Sequence, residues 1–599
     1  MADPAHTLPT LDRLGATVPD DLDAKKTATD WFKAFSTAAE SGDAEGVAAL
    51  FAEGSLWRDI LALTWDFRTF QGPALPKFLA DRLAGAQMSA FKLRDEYLGL
   101  MRPYPDLAWI GAMFDFETKT GLCSGVFRLI PQKGGEWKAH CMFTNLEDLK
   151  GFPEKIGSLR DWAPNHGKWE EARRRSSAFE DGDPTVLIVG GGQSGLELAA
   201  RLRCLDVPTL VVEKNARVGD NWRDRYEALC LHDPVWYDQM PYLNFPPTWP
   251  VYTPAKKLAN WLEYYAEALE VPVWTNSEVT AASRDSTGMW RVTVSNAQGG
   301  TRVCTVKHLV FATGFGSYRG KLPTYPGMEE FKGQILHSSQ HGKATDHAGK
   351  KVVVIGACTS AHDICADYYE HGVDVTMFQR SSTYVMTQSN GVRILLTGLY
   401  SENSPPTNVS DRLNASFPNR LMEFLAPRMT LDVAEADKEL LDGLRKRGFK
   451  LDLGYKDAGF MLAVWEKAGG YYIDVGTSQL IVDGKIKLKN DSLIERFTPT
   501  GLRFENGSEL PADVVVFATG VGDVRENIWK VCDEEVKEKC KPIWGLDKEG
   551  EIQGCYRDLG IPGLWYMMGN LAYCRFHSKH LALQIKAMEE GVFGERYSL

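Results

Sequence analysis

Six residues, Gly190-Gly191-Gly192-Gln193-Ser194-Gly195, spell a complete G-x-G-x-x-G, and the chemistry of such a turn is to hold a pyrophosphate. Gly190 permits the tight turn and Gly192 lets the backbone approach the phosphates. Gly195 lets the following helix pack on the preceding strand, with its N-terminus facing negative charge. The flanking sequence agrees. Thr185 to Val189 is a continuous apolar run, as in a strand buried on both faces of a parallel sheet, and a helix is expected from Leu196 to Leu205. Thr209 to Val212 is a second apolar run, ending in Glu213, 18 residues after Gly195. Its carboxylate can accept hydrogen bonds from the hydroxyls of an adenosine ribose. Strand, glycines, helix, strand and acid in this order predict a dinucleotide site.

The same order recurs from Lys351. The run Lys351 to Ile355 enters Gly356-Ala357-Cys358-Thr359-Ser360-Ala361, followed by a helical stretch through Tyr369 and the strand Val373 to Phe378. Ala361 is a tolerated replacement for the third glycine, whereas Cys358 puts bulk at the second, where a pyrophosphate approaches. Gly190 and Glu213 are 23 residues apart, and the same offset from Gly356 reaches Gln379, followed by Arg380-Ser381-Ser382. A 2′-phosphate repels a carboxylate and favours a guanidinium and hydroxyls. The first site therefore suits FAD or NAD, and the second suits NADPH through Arg380 and Ser381. Two apolar runs, Leu309 to Gly314 and Val514 to Gly520, both end in Ala-Thr-Gly, which places Thr313, Gly314 and Gly520 where the chain crosses between two nucleotide units.

Other chemistry is less well supplied. The 11 cysteines include no C-x-x-C, which counts against a disulfide reductase, a disulfide framework and a zinc ribbon and leaves reduced thiols as the expectation. His337 and His341 stand at i, i+4 with no third ligand at suitable spacing, so no metal is expected. The net charge of −11 supplies no positive field for nucleic acid. No apolar stretch approaches membrane-spanning length, and Met1 to Asp21 lacks the apolar centre of a signal peptide, so a cytoplasmic protein is expected.

These motifs need elements to position them, and 599 residues are enough for several domains. Residues 25–150 read as a small α+β unit. A helix runs through Trp31, Phe35 and Ala39, another through Val47, Leu50 and Phe51, and three strands follow at Leu107–Phe116, Leu122–Ile130 and Trp137–Phe143. Helices followed by a meander resemble the cone-shaped domains typified by nuclear transport factor two. Between Asp161 and Pro184, charged residues including Arg173-Arg174-Arg175 predict a solvated linker or exposed helix. The expected fold is α/β, with two Rossmann-like domains after the N-terminal unit. Residues 1–170 form that unit and its linker, 183–320 and 511–599 a discontinuous FAD domain, and 321–510 an inserted NADPH domain.

From about Pro184 to Ala587 the chain resembles the flavin-containing monooxygenases, class B flavoproteins that include the plant YUCCA enzymes and lie close to Baeyer–Villiger monooxygenases. Phe331-Lys332-Gly333-Gln334-Ile335-Leu336-His337 matches the family's F-x-G-x-x-x-H, although His341 stands where Tyr or Phe is usual. Val218-Gly219-Asp220-Asn221-Trp222 resembles G-G-x-W with Asp220 in place of a glycine. Leu229 to Pro234 matches the segment passing the reactive edge of the flavin, and His232 falls where many members have Asn and the YUCCA-like branch has His. Tyr252 to Lys256 resembles the segment that opens the next helix. Gly563 to Asn570 resembles the strand and turn that return to the flavin, before a helix from Ser578 to Met588.

The resemblance implies FAD contacts from Gly190, Gly192, Gln193, Ser194, Gly195, Glu213, Lys214, Asn221, Trp222, Thr313, Gly314 and Asn570. The second turn gives expected NADPH contacts from Gly356, Cys358, Thr359, Ser360, Ala361, Arg380 and Ser381, Gly520 is a further expected cofactor contact at the crossing, and the resemblance makes His232 both a cofactor contact and the candidate catalytic residue. NADPH would reduce FAD, O2 would add at flavin C4a, and one oxygen would pass to an amine, a sulfide or a carbonyl compound. A non-oxygenating NADPH-dependent flavin oxidoreductase or redox-sensing binding protein is the alternative. The N-terminal unit is compatible with holding substrate, sealing the site or forming a homodimer.

Overall fold

The computed structural model describes residues 7–315, 320, 322–520 and 522–598; residues 1–6 of the expected N-terminal unit lie outside them. Helix Ala24–Ser41 starts where the Asp23 side chain accepts from Lys26 N and stops at Gly42, whose φ of 72° reverses the chain. Its apolar face, with Trp31, Phe32 and Phe35, packs on a six-stranded mixed sheet. The spatial order of strands is Phe67–Gln71, Phe51–Ile60, Trp137–Leu149, Gly121–Pro131, Leu107–Glu117 and Ser89–Tyr104.

The three expected strands are present, but half the sheet was not anticipated. Phe51 opens a strand instead of ending a helix. The helix Ala44–Ala49 stops before it, and Phe51 stacks on Trp57 at 5.5 Å inside the sheet. Phe51–Ile60 is buried at most positions on both faces and shows no period-2 pattern, while Ser89–Tyr104 is a partly exposed edge strand rich in charge. The linker contains an exposed helix, Trp169–Ala178, whose Arg174 pairs with Glu171 and Glu180.

Two parallel five-stranded sheets follow the same plan. The first runs Leu564–Tyr566, His308–Phe311, Val186–Val189, Thr209–Val212 and Val273–Trp274. The second runs Gln334–His337, Val514–Phe517, Lys351–Ile355, Asp374–Phe378 and Lys487–Lys489. Each has an antiparallel three-stranded meander just before its crossing strand, 277–306 in the first and 494–511 in the second. Val514–Phe517 pairs with Gln334–His337 and Lys351–Ile355 and is fully buried. The expected division at 510/511 therefore cuts off a central strand of the second sheet, and the chain returns to the first sheet only after Phe517.

Neither the helical insertion spanning 393–467 nor its contact with the N-terminal sheet was expected. Leu421, Met422 and Leu425 of helix Asn419–Ala436 share a core with Leu56, Leu107, Trp109 and Ile130. The N-terminal unit is also tied to the C-terminal region by buried charge. Arg58 holds Glu551 through two bonds of 2.8 Å, across a sequence separation of 493 residues. Arg557 pairs with Asp66 at 2.9 Å, and Lys579 with Glu147 at 3.1 Å. No helix of the described residues is long and apolar enough to cross a membrane.

Candidate functional site

The first glycine turn closes tightly on its neighbours. Gly190 has φ 111°, and a Cβ there would lie 2.6 Å from the Ala312 carbonyl oxygen. A Cβ on Gly195 would lie 2.1 Å from the Gly190 carbonyl oxygen. The second turn repeats the contact, with Gly356 at φ 137° and its Cβ position 2.4 Å from Ala518 O. The paired Ala-Thr-Gly ends are thereby explained, since each supplies the backbone wall against which a glycine turn packs. Cys358 is accommodated for an equally local reason. It adopts φ −103°, ψ −172°, close to the −79°, −174° of Gly192, in extended backbone open to any residue.

No side chain caps Gln193–Cys204 or Thr359–Glu370, so both helices keep first-turn N–H groups for an anion. Around the first turn, Trp222 donates to Gln193 Oε1 at 3.2 Å, Gln193 donates to Gly569 O at 3.1 Å, and Asn221 lies beside Gly192. Ser194 Oγ is 3.0 Å from Cys574 Sγ. Asp220, in place of the family glycine, accepts from Arg217 N and pairs with Arg223, fixing the short helix Asp220–Arg223. Tyr566 donates to Gly314 O at 2.7 Å and lies 3.0 Å from Thr313 Oγ1. These groups fit a pyrophosphate and a ring laid along the first turn.

Glu213 ends the second strand as expected and accepts from the backbone N–H groups of Gly191 and Asn215, both at 2.8 Å. Burial raises its pKa, and the two N–H bonds only partly offset this. Lys214 follows it at the surface. The equivalent Gln379 is buried and committed elsewhere, donating to Lys450 O and accepting from Lys450 N, each at 2.8 Å. Arg380 and Ser381 beyond it are exposed, and Arg380 has no ion-pair partner among the described residues. Thr359 and Ser360 open the second helix, and Ala361 is fully buried against its strand.

His232 bridges the two halves. Its Nδ1 is 2.9 Å from Ile473 O and its Nε2 is 3.3 Å from Asp363 Oδ1, with 10% of the side chain exposed. Burial opposes its charge, but the hydrogen bond and charge of Asp363 outweigh that and raise the His232 pKa. Asn570 caps the helix Leu571–Glu589, which starts seven residues before the expected Ser578, and also donates to Asp233 at 3.3 Å. His337 lies 3.3 Å from Gly520 O, whereas His341 turns to Tyr368 and Asp367, so the two rings have different partners.

Asp363 and Tyr226 were not identified from sequence. For Asp363 the clearest signal was the repeat itself, because it is seven residues after Gly356 and Glu197 is seven after Gly190. Both acids are buried.

Comparison with known proteins places this architecture. Residues 187–403 match the family described as pyridine nucleotide-disulphide oxidoreductase. Indole-3-pyruvate monooxygenase YUCCA8 of Oryza sativa subsp. indica is 30% identical over 400 residues, covering 65% of this chain and 85% of that protein. YUCCA1 of Oryza sativa subsp. japonica, also an indole-3-pyruvate monooxygenase, is 30% identical over 341 residues, 56% of this chain and 76% of that protein. The ε-caprolactone-bound crystal structure of cyclohexanone monooxygenase shares the fold with TM-score 0.51 and 17% identity, over 68% of this chain and 88% of that one. Together with the paired glycine turns, the YUCCA8 match shows that the chain belongs to the class B flavin-containing monooxygenases, NADPH-dependent flavoproteins.

Proposed function

We propose that this protein is an FAD- and NADPH-dependent monooxygenase that inserts one oxygen atom of O2 into a small carbonyl compound. The observation that carries the coenzyme assignment is the contrast between two otherwise equal turns. One strand leads into the buried carboxylate of Glu213, the other into the exposed guanidinium of Arg380, which has no ion-pair partner among the described residues. The carbonyl preference draws on the YUCCA relatives, which are named for indole-3-pyruvate. The first parallel sheet with its two chain segments is the FAD unit, and the second is the NADPH unit. The 11 cysteines are free, in keeping with a reducing cytoplasmic location.

When bound, FAD supplies the redox centre that accepts electrons from NADPH and passes them to O2. The chain contributes placement. Gly192 and Gly195 would bring backbone N–H groups to the flavin pyrophosphate, while Gly190, whose own N–H is held by Val212 O at 2.8 Å, makes the turn; Gln193, Ser194, Asn221 and Trp222 would line the approach, and Glu213 with Lys214 would face the ribose. Thr313, Gly314 and Asn570 bound the region where the chain leaves and re-enters the flavin unit. Gly356, Cys358, Thr359, Ser360 and Ala361 hold the second pyrophosphate, Arg380 and Ser381 take the 2′-phosphate, and Gly520 closes that turn. The loop carrying His232 excludes water between the two units, which limits loss of reducing equivalents as hydrogen peroxide.

The purified protein is expected to carry a flavin absorbance that bleaches with NADPH under anaerobic conditions. Absence of flavin, or flavin that NADPH leaves oxidised, rejects the assignment. Product analysis with an α-keto acid, a ketone, an amine and a sulfide under NADPH and O2 tests the substrate class; turnover of the amine or sulfide alone rejects the carbonyl reading. Arg380→Ala is expected to raise the NADPH KM at least ~10-fold and leave NADH use little changed, since one charge-assisted contact is worth roughly 1.5–3 kcal/mol. Equal effects on both coenzymes in steady-state kinetics would remove Arg380 from the 2′-phosphate site.

A further inference from the structure

Both nitrogens of His232 face acceptors, the Ile473 carbonyl at 2.9 Å and the Asp363 carboxylate at 3.3 Å. Such a ring is satisfied on both sides only with a proton on each nitrogen, and it then has no nitrogen left for a substrate. The other oxygen of Asp363 accepts from Tyr226 OH at 2.8 Å. One carboxylate on the second glycine-turn helix thus grips two points, six residues apart, on a loop belonging to the first unit. Gln388 adds a third tie by donating to His232 O at 2.8 Å.

We propose that Asp363 is a positioning residue whose carboxylate clamps Tyr226 and the imidazolium of His232, setting how the 226–234 loop of the flavin unit seats against the nicotinamide unit. The assignment of the two units rests on the function proposed above; the clamp itself rests on the contacts. His232 then acts through the loop, not on the substrate. Other ionisable groups near the ring are differently occupied. Asp233 receives the Asn570 amide, and Asp474 accepts from Gly476 N and Ser478 N. Tyr472 meets His232 edge-on at 6.3 Å and stacks at 3.7 Å on His362, which burial lowers to about 4 and so keeps neutral. Among the described residues, Asp363 is the one carboxylate within bonding distance of the His232 ring.

The sign of the pH dependence follows. Because the folded-state pKa of His232 is raised, the clamp is complete below the ordinary histidine value and is lost as pH rises through the folded value. The test is hydrogen–deuterium exchange of residues 226–234 in the full chain between pH 6 and 9, read as protection factors and paired with hydrogen peroxide released per NADPH. Wild-type protection should fall with rising pH. Asp363→Asn, which keeps an acceptor for Tyr226 but removes the charge, should lower protection about 10-fold at pH 6, abolish the pH step and raise peroxide release, as expected for loss of a charge-assisted bond. Asp363→Glu should restore part of the step. If Asp363→Asn does not fold, His232→Asn removes the cation from the other side and should give the same loss. Wild-type protection with an unchanged pH profile in the folded variant overturns the clamp. Exchange needs no bound cofactor, so absence of flavin would reject the proposed activity while the exchange result still decides the clamp.

Discussion

Gly195→Ala is expected to yield protein that retains its fold but loses most of its flavin. The added methyl would sit 2.1 Å from Gly190 O and 3.2 Å from Ile188 Cγ2. The first contact is with backbone, so no rotamer change relieves it. Gly190 cannot retreat either, because it is held at φ 111° with Ala312 O behind it. The helix Gln193–Cys204 must therefore move away from its strand, taking the phosphate-facing N–H groups with it. Overpacking of this kind costs roughly 1–3 kcal/mol, which corresponds to a loss of about 5- to 150-fold in cofactor retention. The flavin-to-protein absorbance ratio and FAD titration of the apoprotein measure it; full occupancy with unchanged affinity would show that the turn can widen. The second turn provides an internal comparison, since Ala361 already occupies the equivalent position without exposure to solvent.

The second large effect is expected far from the cofactors. Glu551→Ala leaves Arg58, with 9% of its side chain exposed, in an interior that no longer balances its charge, and removes the acceptor for Thr69 Oγ1 at 2.7 Å. Burial works against the Arg58 charge, but Glu551 outweighs that through Coulomb attraction and hydrogen bonding. Removing one member of such a pair costs about 3–5 kcal/mol, and a thermal midpoint lower by roughly 10 °C is expected by calorimetry. Glu435→Ala breaks an ion pair with Lys438 whose side chains are 61% and 75% exposed, and should shift the midpoint little. Equal small shifts for both variants would mean that the N-terminal unit is only loosely joined to the rest.

The glycine turns were legible because their requirements are local. Gly190, Gly195, Glu213 and Gly356 each answer to a neighbour in the same short motif or to the backbone of an adjacent strand, and the parallel strands read clearly as apolar runs. Even Cys358, a departure from the pattern, is resolved by two dihedral angles. The groups that sequence left obscure depend on long-range placement. Asp363 meets His232 across 131 positions of sequence, and no motif spacing encodes that contact. His232 could be selected by resemblance, but the engagement of both its nitrogens became visible only in three dimensions. Phe51–Ile60 escaped because burial on both faces removes alternation, and the 510/511 division separates Val514–Phe517 from its sheet because the two strands bonded to it lie more than a hundred residues earlier.

The pairing of Arg58 with Glu551 also bears on the order in which this protein is made. A ribosome adding about 5–20 residues per second needs roughly half a minute or more to pass from one partner to the other. During that interval Arg58, Asp66 and Glu147 face water or a helper protein instead of Glu551, Arg557 and Lys579. The first sheet to emerge can form its aromatic interior early, yet its charged face waits for residues 551–579. Synthesis stalled between the two would leave a nascent chain with a formed core and an unmatched polar surface, a natural substrate for chaperones.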